Sequence, residues 1–79
     1  MKKQIVKNPR KDDKLKAIGE KIRKIRLAKG LTQSELAFLC SDTDLSQISR
    51  MERGLVNFSV SFLYVIADKL DIPARDLLP

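Results

Sequence analysis

Between Leu45 and Arg53 the chain sets out Leu45, Ser46, Gln47, Ser49, Arg50 and Arg53, with Glu52 the lone carboxylate among them. At helical spacing these residues fall largely opposite Ile48 and Met51, so one side is apolar and the other is a row of donors and acceptors. That row can read base edges. An arginine donates a bidentate pair to guanine O6 and N7, hydroxyl and amide groups fit either kind of edge, and an apolar side chain meets a thymine methyl. Arg50 is the candidate for guanine and Leu45 for the methyl, with Ser46, Gln47 and Ser49 as further candidates for base readout. A solvated Arg50 that touches only phosphate is the competing reading. Upstream, Thr32 and Gln33 open another helical pattern, where free N–H groups and the helix dipole favour an anion. Together with Arg53 they are the candidates for phosphate contacts.

Other chemistries lack their residues. The chain has no histidine, one cysteine and three separated glycines. It therefore offers no imidazole base, no zinc ligand set and no glycine-rich phosphate loop. The paired carboxylates Asp12 with Asp13 and Asp42 with Asp44 each precede an expected helix, where negative charge suits the dipole. No catalytic residue, metal or cofactor is expected, and the chain does not read as an enzyme.

Two short helices must hold the row in place. Thr32 and Glu35 have capping-box spacing, and Leu36, Ala37 and Leu39 form the expected inward face of the first helix. Ser41, Asp42, Thr43 and Asp44 all compete for their own backbone and make a turn. Asp44 is the expected N-cap of the second helix, which ends at Gly54 with Ile48, Met51 and Leu55 as its apolar stripe. The layout is a helix-turn-helix.

The paired motifs Leu31-Thr32-Gln33-x-Glu35-Leu36-Ala37 and Ile48-Ser49-Arg50-x-Glu52-Arg53-Gly54 resemble the Cro/C1-type (XRE) helix-turn-helix family of phage repressors, restriction-modification controller proteins and antitoxins. The resemblance covers about residues 18 to 78. The connection between the motif helices is one residue longer than the family's usual one, with the extra residue placed in 41–43. The resemblance implies an all-α, five-helix, lambda-repressor-like domain that binds double-stranded DNA through the second motif helix. It also implies an ion pair between Arg26 and Glu52, which makes Arg26 structural, and dimerisation through the last two helices.

The remaining sequence fits that frame. Seventy-nine residues make one domain with a small core. Residues 1–12, rich in lysine, read as a disordered basic arm, either contacting DNA or merely solubilising, and 13–79 as the helix-turn-helix domain. The expected first helix runs from Asp13 to Lys29, with Leu15, Ile18, Ile22 and Ile25 on one face. The fourth is expected from Val60 to Leu70, capped by Ser59, with Val60, Leu63, Tyr64, Ala67 and Leu70 inward. A fifth is expected from Ala74 to Leu78. Phe62, Val65, Ile66, Leu77 and Leu78 are then left outside as a dimer surface.

Of the net charge of +6, residues 1–16 hold +5, residues 17–53 hold +2 and the rest −1. A basic front suits phosphate and a near-neutral back suits protein. No signal-peptide pattern or membrane-length apolar run occurs, and the lone Cys40 reads as a small buried hydrophobe, so a cytoplasmic location is expected. The expected function is a homodimeric, sequence-specific transcriptional regulator on a palindromic operator, either a restriction-modification controller or a phage-type repressor. An antitoxin that binds a toxin, with DNA binding secondary, is the alternative.

Overall fold

The computed structural model describes residues 9–41, 43–57 and 59–79. Among them are four α-helices, α1 (Pro9–Ala28), α2 (Gln33–Cys40), α3 (Leu45–Glu52) and α4 (Val60–Leu70), and a 3₁₀ turn at Ala74–Leu77.

α1 begins four residues before the expected Asp13. Proline suits a first helical position, since its missing N–H would have no partner there and its φ is preset. Residues 9–12 therefore belong to the helix, and the rest of the expected arm, residues 1–8, lies outside the described residues. α1 turns Ile22 fully inward and Ile18 and Ile25 partly so. It closes with Leu31 N–H on the Arg26 carbonyl (3.1 Å) and Gly30 N–H on the Leu27 carbonyl (3.0 Å), the paired bonds of a Schellman end.

The motif helices start as their caps require. Glu35 N–H donates to Thr32 Oγ1 (3.0 Å) and Thr32 N–H donates to Glu35 Oε1 (2.8 Å), completing the capping box of α2. Leu36, Ala37 and Cys40 form its buried stripe. Leu39, expected inward, is 39% exposed because Cys40, one turn beyond Leu36, fills that place. Gln47 N–H donates to Asp44 Oδ1 (2.9 Å), which fixes the start of α3. At its other end Gly54 takes φ +74, Leu55 N–H reaches the Arg50 carbonyl (2.9 Å) and the chain reverses. This reversal corrects the expected stripe: Leu55 swings outward to 59% exposure and Val56 packs on the core instead.

α4 is rotated from the expected orientation. Its buried residues are Leu63, Ile66, Ala67 and Leu70, while Val60 and Tyr64 are 69% and 62% exposed. Ile66 is fully buried, and so is Leu77 of the 3₁₀ turn, which excludes both from a surface offered to a second subunit. The reason is geometric. Ile66 and Leu70 lie one turn apart and close over Leu77, so a stripe centred there buries more apolar surface than one centred on Tyr64, whose hydroxyl prefers water. The fifth element is a single 3₁₀ turn rather than an α-helix, with Asp76 N–H on the Pro73 carbonyl at 3.0 Å.

The core joins Ile22, Leu36, Ile48, Met51, Ile66, Leu70 and Leu77, taking at least one side chain from every element. Two glycines set the distance between α1 and α3. A Cβ at Gly19 would lie 2.3 Å from the Met51 carbonyl oxygen and 2.7 Å from that of Glu52. One at Gly54 would lie 2.8 Å from Lys16 Cα. Main chain thus rests on main chain, and α3 is backed by α1 along its C-terminal half.

Candidate nucleic-acid interface

α3 divides cleanly by exposure. Ile48, Met51 and Glu52 are buried, whereas Leu45, Ser46 and Arg50 are exposed and Gln47 and Ser49 are partly so. The five candidate base readers therefore share the outer side of one short helix, and none is used to fill the core. Thr32 is exposed at the N-terminus of α2, and Arg53, also exposed, donates from Nε to the Ser49 carbonyl at 3.4 Å. Thr32 and Arg53 thus lie at the ends of the two motif helices, where phosphate contacts were expected.

Glu52 has a different task. Arg26 Nε donates to Glu52 Oε2 (2.6 Å) and Arg26 Nη2 to Oε1 (3.0 Å), a bidentate pair with both side chains almost wholly buried. Arg26 Nη1 also donates to the Leu31 carbonyl at 2.8 Å, which ties down the turn into α2. Gln33 Nε2 then donates to Glu52 Oε1 at 2.9 Å. One carboxylate in this way links α1, α2 and α3. Gln33, a sequence candidate for phosphate, spends one amide hydrogen on this link and keeps the other, together with its place in the first turn of α2.

Gln47 is also committed. Arg50 Nη2 donates to Gln47 Oε1 at 3.0 Å, so the amide oxygen that an adenine contact would use is turned to the guanidinium and one of its two lone pairs is engaged. Both residues border an open cavity of about 620 Å³ whose far side is formed by Asn57, Ser59 and Phe62. Ser59 caps α4 through its Oγ, which accepts from Phe62 N–H at 3.0 Å. Phe62 therefore lies beside the outer side of α3. Val65 is half-buried and Leu78 is 48% exposed.

Sequence reasoning missed Gly19, Gln33 as the bridge to Glu52, and Asn57 as a neighbour of Arg50. A glycine inside a strongly helical pattern was the available signal for the first. The other two depend on how helices dock and leave no local trace. Cys40 is buried at the end of α2, and that burial pushes its thiol above its usual range, with Lys69 pulling weakly the other way. Among the described residues no cluster of metal-ligating side chains occurs, and no helix is long and apolar enough to cross a membrane.

A family model described as helix-turn-helix (HTH_3) matches residues 22–77. This chain belongs to that family. The match takes in both motif helices, the Arg26–Glu52 pair and the whole of α4. The control protein C.BamHI of Bacillus amyloliquefaciens is 41% identical to this helix-turn-helix chain over 61 residues, covering 76% of the chain and 74% of that relative. The crystal structure of the restriction-modification controller protein C.AhdI from Aeromonas hydrophila superimposes with a TM-score of 0.77 at 41% identity, covering 81% of this chain and 96% of that one. The DNA-binding domain of BldD from S. venezulae does so with a TM-score of 0.77 at 28% identity, covering 85% and 99%. Regulators of the Cro/C1 type thus share both the sequence pattern and the fold of this chain.

Proposed function

We propose that this protein is a sequence-specific double-stranded DNA-binding transcriptional regulator of the restriction-modification controller kind, acting as a homodimer on a palindromic operator. The observation that carries the reading is the division of α3. Its buried half is locked to α1 and α2 through Glu52, and its outer half presents Leu45, Ser46, Gln47, Ser49 and Arg50 without a competing carboxylate. The similarity to two controller proteins at 41% identity supports the regulatory class.

Each side chain has a task in the proposed complex. Thr32, the N-terminus of α2 and Arg53 hold phosphates and fix the register, and Gln33 adds its remaining amide hydrogen. Arg50 reads guanine and Leu45 a thymine methyl, with Ser46 and Ser49 contacting neighbouring edges. One domain makes too few contacts to select a single site. Two copies related by a two-fold axis place their α3 helices in successive major grooves, about 34 Å apart. Val65 and Leu78, joined by Val60 and Tyr64, supply apolar surface for that pairing.

Selection of bound duplexes from a random pool at near-physiological salt tests the reading, with sedimentation of the free protein beside it. A palindrome with half-site centres one helical turn apart, bound by two chains, is the expected result. Enrichment of no common site, or of a single unrepeated half-site by a monomer, would overturn it.

A further inference from the structure

We infer that Gln47 is a positioning residue which aims the Arg50 guanidinium at its base and does not itself read one. The inference rests on the DNA-reading role proposed for α3. Residues three apart on a helix are neighbours on its surface, and here the contact is made, with Arg50 Nη2 on Gln47 Oε1 at 3.0 Å. Gln47 is in turn fixed by its own backbone, whose N–H is held by Asp44 Oδ1 at 2.9 Å, and it is partly buried while Arg50 is exposed. The cap thus fixes the backbone from which the Gln47 side chain extends, and the side-chain amide oxygen accepts from the guanidinium.

The hydrogen-bond inventory favours this division of labour. A glutamine recognises adenine by aiming its carbonyl and its amino group together at the base, and here the Gln47 carbonyl is turned to the Arg50 guanidinium. Arginine has five N–H donors, and surrendering one still leaves enough for the two parallel bonds that guanine O6 and N7 accept. A free arginine must give up rotamer freedom on binding. One already held in place gives up less, and it meets a wrong base without freely swinging to a phosphate instead.

The test uses the full chain and three duplexes: the selected site, the same site with the guanine assigned to Arg50 replaced by adenine, and random DNA. Arg50→Ala first identifies that guanine. Gln47→Met keeps the length of the side chain and removes the carbonyl. We expect it to cut discrimination at the Arg50 guanine about tenfold, within the range that one bidentate contact supplies. The Gln47→Met/Arg50→Ala pair should discriminate no worse than Arg50→Ala alone. In the free protein, rotation of the Arg50 guanidinium followed by nitrogen NMR should be slower in wild type than in Gln47→Met. Relaxed specificity at a different base pair, additive losses in the double variant, or equal rotation in both proteins would each overturn the assignment. If wild type discriminates and Gln47→Met discriminates equally well, this assignment alone falls. If wild type discriminates among no duplexes, the regulator reading falls and takes this assignment with it.

Discussion

Replacing Gly19 by alanine sets two effects of opposite sign against each other. In a helix interior alanine is favoured over glycine by about 1 kcal/mol, so the substitution should stabilise α1 taken alone. The new methyl, however, would stand 2.3 Å from the Met51 carbonyl oxygen and 2.7 Å from that of Glu52, both main-chain atoms that no rotamer change can move. Restoring an ordinary separation of about 3.5 Å requires α1 and α3 to part by about 1 Å. The same movement stretches the Arg26–Glu52 pair, two turns further along α1, from its 2.6 Å contact. Overpacking of this kind costs about 1–3 kcal/mol, and contact with rigid backbone places Gly19 at the upper end. The net loss is then about 2 kcal/mol, a large share of the roughly 4–12 kcal/mol that a chain of this length holds. For a domain of this size that corresponds to a fall in Tm of about 8–16 °C.

Circular-dichroism melts of both proteins at one fixed concentration would measure it, since association makes Tm depend on concentration. Gly30→Ala is the control. Nothing lies within 4 Å of its added Cβ, and φ is +75, so it pays only a backbone cost of about 1–2 kcal/mol. A Gly19→Ala variant that melts at or above wild type would refute the close approach of α1 to α3.

Arg26→Ala should destabilise the chain by about 3–5 kcal/mol by stranding the Glu52 carboxylate, whereas Arg26→Met combined with Glu52→Leu should recover much of the loss; urea midpoints would show both. Cys40 should react with a thiol reagent no faster than the protein unfolds. Because its folded pKa is raised, its contribution to stability is complete below the ordinary thiol pKa and declines as pH rises above it, so alkaline urea titrations should show falling stability, less so in Cys40→Val. Removing residues 1–8, which carry Lys2, Lys3 and Lys7, should weaken binding to cognate and random DNA alike and flatten the dependence of log Kd on log salt, whereas Arg50→Ala should penalise the cognate duplex far more than the random one.

The parts of the fold readable in advance were those written in local chemistry. Thr32 with Glu35, Asp44, Ser59 and Gly54 each announce a helix end through a hydrogen bond or a backbone conformation that few residues supply. Pro9 carried a start signal as well, but its lysine-rich surroundings concealed it. The facing of α4 was not readable. Val60, Phe62, Leu63, Tyr64, Val65, Ile66 and Leu70 leave the helix apolar nearly all round, so periodicity has no edge to detect and only docking against Leu77 selects the inner side. The outer row of α3 was legible because its polar residues alternate with Ile48 and Met51 at helical spacing. That Gln33 and Gln47 were engaged within the protein was not, since each bond depends on a partner's rotamer or on the packing of another helix.

The three buried residues of α3 bear on how such a chain can change. Ile48, Met51 and Glu52 hold the helix to its scaffold, while Leu45, Ser46, Ser49 and Arg50 contribute little to folding. The two alphabets are interleaved in eight residues yet are almost independent. New preferences can accordingly be written into the outer letters without renegotiating the architecture beneath, and drift there is constrained by whatever that side contacts, not by the core. A descendant that acquires a different site need only exchange a handful of surface residues, keeping Gly19, Arg26 and Glu52 as the unchanged mount.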